Sequence, residues 1–352
     1  MAISNIQAEQ AAAAAASAPA VAISFRLLLA LYSVIPLSLL IQFLDANYAD
    51  AYLQQSLTSS PKHFILLLII IGTPHIIASS MILFGNREYL QLYKFRIIGM
   101  TLAIIVVFGF GSLFLPYHLL FVLVAVWTIY HVLKQQHGIA RGVCRLSGWQ
   151  FNLQLWLSIA AGIFIYMGIF LKNSLLPEQL QLIGQISALF CAALVMSTLY
   201  CQRSVPTAFG KVFLWANAML VLSSFYLYLQ QYHILAILVP RLVHDSTAFI
   251  FYVSHDYNRH HRQPQNLIYR VARKLHLNSF IVLPLLSFAL AVVLQQYGDH
   301  VVNWLGEVLF GVEIKRAITL GLLGYLALMH YYSEAFTWKG DSPYRQFIIF
   351  KK

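Results

Sequence analysis

Four histidines, His75, His131, His244 and His330, stand inside long apolar runs of this 352-residue chain. A neutral imidazole offers one lone-pair nitrogen and is a common metal ligand. An ionisable group in hydrocarbon costs about 2.5–3.5 kcal/mol on insertion scales, so one is kept there for a partner or a task. The segment PRLVHDSTAFIFYVSHDYNRHH concentrates such groups, with Arg241, His244, Asp245, His255, His260 and His261 in one stretch. In HYYSEAF, Glu334 follows His330 by four residues, and in YHVLKQQHG, Gln135 follows His131 by four. On a helix each pair shares a face. Each can therefore supply two ligands, or one ligand and the group that orients it. Arg241 and Asp245 have the same spacing and can offset each other's burial.

The histidines divide into two tiers. His244 and His255 are eleven residues apart, so they share a face but stand about 16 Å apart along the axis, too far for one ion. His131 and His137 differ by about 120° around their helix. His255, His260, His261 and His137 are therefore expected to form a second tier, either a second metal or a proton and electron entrance. Thirteen histidines against twelve carboxylates supply the donors. Cys144, Cys191 and Cys201 follow no metal or disulfide spacing. Imidazole and carboxylate without thiolate suit iron, zinc, copper or manganese.

The elements that must position these residues are membrane helices. The chain is 60% hydrophobic and 10% charged, whereas soluble domains carry about a quarter charged residues. The expected fold is all-α, a polytopic membrane helix bundle of about ten transmembrane helices. The apolar runs at 22–44, 63–84, 97–115, 117–138, 150–171, 179–200, 211–230, 232–255, 279–297 and 316–338 each approach the ~20 residues needed to cross. Residues 1–21 read as a disordered tail, 22–338 as a single transmembrane domain, and 339–352 as a C-terminal tail. Segment 262–276 reads as an amphipathic helix on the lipid surface, and 300–315 as a second interfacial segment anchored by Trp304.

The net charge of +11 invites a nucleic-acid reading. That reading fails, because the basic residues lie in loops between spans, where the positive-inside rule puts them. Arg87, Lys94 and Arg96, then Arg141 and Arg145, Arg203 and Lys211, the basic run 259–274 and the C-terminal lysines all fall on one side. Both termini are accordingly expected in the cytoplasm, with the protein in a bacterial inner membrane.

In this topology the four core histidines lie on even-numbered spans, all running outside to inside. Each is about 13–15 residues into its span, so all four stand about 18–23 Å from the outer surface. Four imidazoles at one depth on parallel helices predict a ligand site in the bundle core. His63, His118, His233, His276 and His300 fall at span ends or in loops and read as interfacial.

Nitrogen-rich sites with open positions serve non-haem iron and oxygen chemistry, and also zinc hydrolysis. A metal among membrane helices meets a lipophilic substrate from the bilayer. The chemistry expected is an iron-dependent oxidation using dioxygen, such as hydroxylation, desaturation or oxidative cleavage of a lipid, fatty acyl chain or isoprenoid. Asp245, Glu334 and Gln135 would orient ligands or relay protons.

Thr73–Pro74–His75 is similar to the Pro-His pair in a membrane helix of Brp/Blh-like carotene dioxygenases. The layout resembles the wider group of integral-membrane histidine-cluster oxygenases, which includes desaturases and alkane hydroxylases. Their His-x-x-His-His box has its nearest approach here in His255-x4-His260–His261. The resemblance implies iron, dioxygen and a lipophilic substrate. Iron is expected as a mono- or dinuclear centre, with zinc, copper or haem as alternatives. No dinucleotide-binding motif is present, so reductant would come from an external electron donor at the cytoplasmic face. Two other classes fit the same residues: a haem-binding redox protein with paired axial histidines, and a proton- or metal-ion-coupled transporter.

Overall fold

In hydrocarbon every backbone N–H and C=O must find a partner within its own segment, which makes apolar runs of this length helical. The computed structural model describes residues 20–57 and 72–351, with the side chains of Tyr117 and His118 outside that description. The described residues are helical almost throughout. The main helices are α1 (Phe25–Tyr48), α2 (Thr73–Gly85), α3 (Arg87–Leu113), α4 (Tyr117–Cys144), α5 (Gly148–Phe170), α6 (Pro177–Cys201), α7 (Ala208–Leu229), α8 (His233–His260), α9 (Leu267–Lys274), α10 (Ser279–Phe310) and α11 (Leu323–Thr337).

Eight of these are long and apolar enough to cross a membrane, which marks the chain as a membrane protein. They coincide with eight of the ten expected spans. The second span, His63 and most of the expected N-terminal tail begin or lie outside the described residues, and α2 is the described part of that span. The tenth is a 15-residue helix, α11, preceded by a π-helical turn at Ala317–Leu322. Outward-facing Phe95, Leu189 and Met196 are 66–77% exposed. Such a surface suits lipid rather than water.

Local sequence sets the helix ends. Pro116 is extended and separates α3 from α4. Ser147 and Gln150 form a capping box at the start of α5. The Thr207 hydroxyl accepts the Gly210 N–H at the start of α7, and Asn266 accepts the Tyr269 N–H at the start of α9. The amphipathic segment is shorter than expected. It is helical only from Leu267, because Pro264 disfavours helix in the residues before it.

Chain contacts divide the fold into two compact units. The first holds α2, α3, α9, α10, α11 and the part of α8 from Ala248 onward. Its core gathers Tyr89, Tyr93, Tyr252, Phe336 and Tyr344 with Ala78, Ile82, Leu83 and Leu283. Two short strands, β1 (Ala22–Ser24) and β2 (Ile349–Lys351), pair in parallel with Ala22 opposite Ile349. The Asn258 side chain accepts the Val21 N–H and donates to the carbonyls of Val21 and Phe347. The segment read as a C-terminal tail is thus folded onto this unit, with Tyr344 and Ile348 buried.

The second unit holds α1, α4, α5, α6, α7 and α8 up to Thr247. Its buried face is built from residues such as Ile129, Leu155, Ile165, Phe213 and Leu220. Gln154 of α5 donates to Ser197 and accepts from Thr198 of α6, a polar link between apolar helices. His233 departs from the interfacial expectation. It is buried, with both ring nitrogens lacking a hydrogen-bond partner among the described residues.

Candidate metal centre

Helix α8 carries the densest set of candidates, and a proline shapes it. Pro240 has no N–H, so the carbonyl of Ala236 loses its helical donor. The Ser224 hydroxyl of α7 donates to that carbonyl at 2.7 Å. Neighbouring helices commonly satisfy backbone freed by a membrane proline in this way. One turn beyond Pro240 come His244 and Asp245, both fully buried.

In the second unit the rings of His244 and His131 meet edge to face, with centroids 4.7 Å apart and planes at 78°. Asp245 pairs with Arg241 of the same helix at 3.6 Å, as their spacing predicts. Its other oxygen lies 3.8 Å from His244 Nε2. A partly exposed guanidinium thus offsets a buried carboxylate.

The first unit repeats the motif. Pro74 directly precedes His75 in α2. The Thr73 hydroxyl accepts from Gln295 at 2.6 Å, in the π-helical turn of α10. His75, held at this end of α2, meets His330 of α11 edge to face, with centroids 4.8 Å apart and planes at 77°. Glu334 follows His330 by one turn and is buried.

Tyr252 of α8 joins this group, and sequence spacing gave no sign of it. Its hydroxyl donates to Glu334 Oε1, in a very short contact, and lies 3.3 Å from His330 Nδ1. A phenol has one proton to give. With that proton committed to the carboxylate, His330 must donate its Nδ1–H to the Tyr252 oxygen. The lone pair of His330 is then on Nε2. Trp338 stacks on Tyr252 at 5.4 Å and fixes the ring. An imidazole whose far nitrogen is tied in this way is preset as a metal ligand.

Buried imidazole nitrogens and carboxylate oxygens that could hold a metal ion gather in each unit: His131, His244 and Asp245 in the second, His75, His330 and Glu334 in the first. The buried cysteines Cys144, Cys191 and Cys201 belong to neither group.

The second tier has other partners. Arg259 Nη1 donates to the Tyr89 hydroxyl at 2.9 Å, and Tyr89 in turn lies 2.9 Å from His255 Nε2. Tyr89 therefore gives its proton to His255 Nε2, which leaves Nδ1–H directed at Asp256 Oδ1, 3.8 Å away. His260 Nδ1 accepts the backbone N–H of Gln265 at 3.1 Å. Its proton is then on Nε2, 3.5 Å from the same Asp256 oxygen. The Tyr269 hydroxyl donates to Asp256 Oδ2. Burial and the adjacent carboxylate raise the Tyr269 phenol well above its usual range and keep it a donor.

Asp256 is thus a buried carboxylate that accepts from Tyr269, with His255 and His260 at 3.8 and 3.5 Å from its other oxygen. In these tautomers, His255 and His260 aim no lone pair at a shared ion. His261 donates Nδ1–H to the Tyr257 carbonyl and stacks on that ring at 4.8 Å. His137 pairs with the Ser158 hydroxyl at 3.0 Å. Gln135, expected beside the metal, is half-buried, and its oxygen accepts from Gln136 at 3.1 Å.

Comparison of the chain with protein-family profiles, with curated proteins and with solved structures finds no match.

Proposed function

We propose that the chain is a membrane-embedded, metal-dependent oxygenase, with iron as its metal, acting on a lipophilic substrate. One observation carries this reading. Buried imidazoles and carboxylates form metal-competent groups on helices of membrane character. Burying so many ionisable groups in hydrocarbon is costly without a ligand or a task. Imidazole-rich sets with carboxylate and no thiolate suit iron among the metals that imidazole accepts.

His131 and His244 with Asp245 in the second unit, and His75 and His330 with Glu334 in the first, would be the ligands. Bound there, iron would supply dioxygen activation. The chain's own residues do the positioning. Tyr252 orients Glu334 and fixes the His330 tautomer, and Arg241 balances Asp245. The alternative of haem with paired axial histidines fits less well. The rings in each pair touch edge to face at 4.7 and 4.8 Å, which leaves no slot for a flat macrocycle between them.

The test is a comparison of lipid extracts from cells making the wild-type chain or His244→Ala, grown under isotopically labelled dioxygen. The reading expects oxygenated or newly desaturated lipids that depend on His244. Identical extracts from cells holding folded, iron-loaded wild-type protein would overturn it.

A further inference from the structure

Helix α9 joins two spans without being one. Helices α8 and α10 on either side of it are each long and apolar enough to cross a membrane. At eight residues, or about 12 Å, α9 is too short to cross. The chain from 261 to 278 therefore stays at one membrane face.

The inner side of α9 is held in place. Tyr269 and Ala272 are buried and pack on Val282 of α10, with Ile268 and Leu286 at the edge. The Tyr269 hydroxyl donates to Asp256 on α8. Arg273 donates to the carbonyls of His261 and Arg262, just past the end of α8, at 3.3 and 2.6 Å. Asn278 caps the start of α10 by accepting the Phe280 N–H at 2.9 Å. These contacts fix which side of α9 faces outward.

That outward side is apolar with a basic border. Leu267, Val271 and Leu275 are four residues apart and fall within about 80° of one another around the helix. They are 46–73% exposed. Arg270 and Lys274, also four apart, are exposed beside them. An apolar stripe bordered by basic side chains is the pattern of a helix lying in a lipid interface. Exposed apolar residues continue along the chain through Leu277 to Phe280, Ile281 and Leu285 at the start of α10, where the span enters the bilayer. This continuity favours lipid over a soluble protein as what covers α9.

Charge selects the lipid. No Asp or Glu occurs between Asp256 and Asp299, while the 261–278 connection carries Arg262, Arg270, Arg273 and Lys274. Arg273 is engaged by the carbonyls beyond α8, so Arg270 and Lys274 are the cations that border the stripe. Long basic side chains lay their stems along apolar surface and keep their charges at the polar boundary. There they meet headgroup phosphates.

We propose that α9 lies in the lipid interface and that Arg270 and Lys274 bind the headgroup of an anionic phospholipid. The inference needs no metal and stands apart from the oxygenase reading. Attraction to anionic lipid is worth about fivefold in affinity per basic residue. The pair should therefore favour anionic over zwitterionic lipid by about 25-fold at low salt.

The experiment places an environment-sensitive dye on Val271→Cys in the full-length protein, whose Cys144, Cys191 and Cys201 are buried. The protein is reconstituted in phosphatidylcholine vesicles, and nitroxide-bearing phosphatidylglycerol or phosphatidylcholine is added as quencher. Both should quench the dye, with phosphatidylglycerol effective at about 25-fold lower content. Arg270→Gln combined with Lys274→Gln should make the two quenchers equal. Salt at about 1 M, where the Debye length is about 3 Å, should do the same to the chain that keeps both residues. The salt arm decides the matter if the double variant fails to fold. A dye on Leu189→Cys, at an exposed position of α6, should show no preference. Equal quenching at 271 by the two lipids, or a preference that survives substitution or salt, would overturn the proposal. So would a dye at 271 that neither lipid quenches, because α9 would then lie in water as a surface for a soluble partner.

Discussion

Tyr252→Phe removes one oxygen from a fully buried group and leaves the ring stack on Trp338 in place. Two contacts to candidate ligands go with that oxygen. Glu334 loses its donor, and His330 Nδ1 loses its acceptor. A hydrogen bond to a charged group contributes about 1.5–3 kcal/mol. Loss of a group that orients a ligand typically lowers metal affinity by about 10- to 100-fold. That range corresponds to about 1.4–2.8 kcal/mol, so the two estimates agree. Iron(II) affinity, measured by chelator competition on detergent-purified full-length protein under anaerobic conditions, should weaken within this range. The unfolding midpoint of the metal-free protein reads packing separately. Unchanged affinity in a folded Tyr252→Phe variant would refute the role assigned to Tyr252.

Ser224→Ala should cost about 1–3 kcal/mol of stability, because it strands the buried Ala236 carbonyl that Pro240 cannot serve. Adding Pro240→Ala supplies the missing N–H and should recover most of that loss. A double-mutant cycle by thermal unfolding in detergent checks the pair, and simple additivity would contradict it. Asp256→Asn should also cost about 1–3 kcal/mol, since Tyr269 would lose its charged acceptor. Its iron content should stay at the wild-type level, and a fall to background would mean that the second tier binds the metal after all. His137→Ala should likewise retain iron, as its nitrogen is matched to Ser158.

The helices, and the burial of four histidines within them, were legible in the sequence because both rest on local spacing. Apolar run length fixes a span, and a four-residue interval fixes a shared helix face. The Arg241–Asp245 pair and the Glu334 position follow from the same rule. Tyr252 was not legible, since Glu334 is 82 residues away and the link exists only through folding. The roles of His255 and His260 turned on tautomers. Those are set by Tyr89, 166 residues from His255, and by a backbone N–H in the turn after α8. A count of histidines near one helix end could not separate a metal site from a buried carboxylate with its donors. Pro240 stood out as a kink signal, whereas its partner Ser224 lies on another helix and carries no motif.

Metal content per chain tests the central claim most directly. Full-length protein from iron-supplemented cells, purified anaerobically, would be compared with His131→Ala, His244→Ala, His330→Ala and Glu334→Gln. Stoichiometric iron is expected in the wild type, with most of it lost in each variant and His137→Ala and His260→Ala unaffected. Folded wild-type protein without metal, or iron that survives all four substitutions, would contradict it.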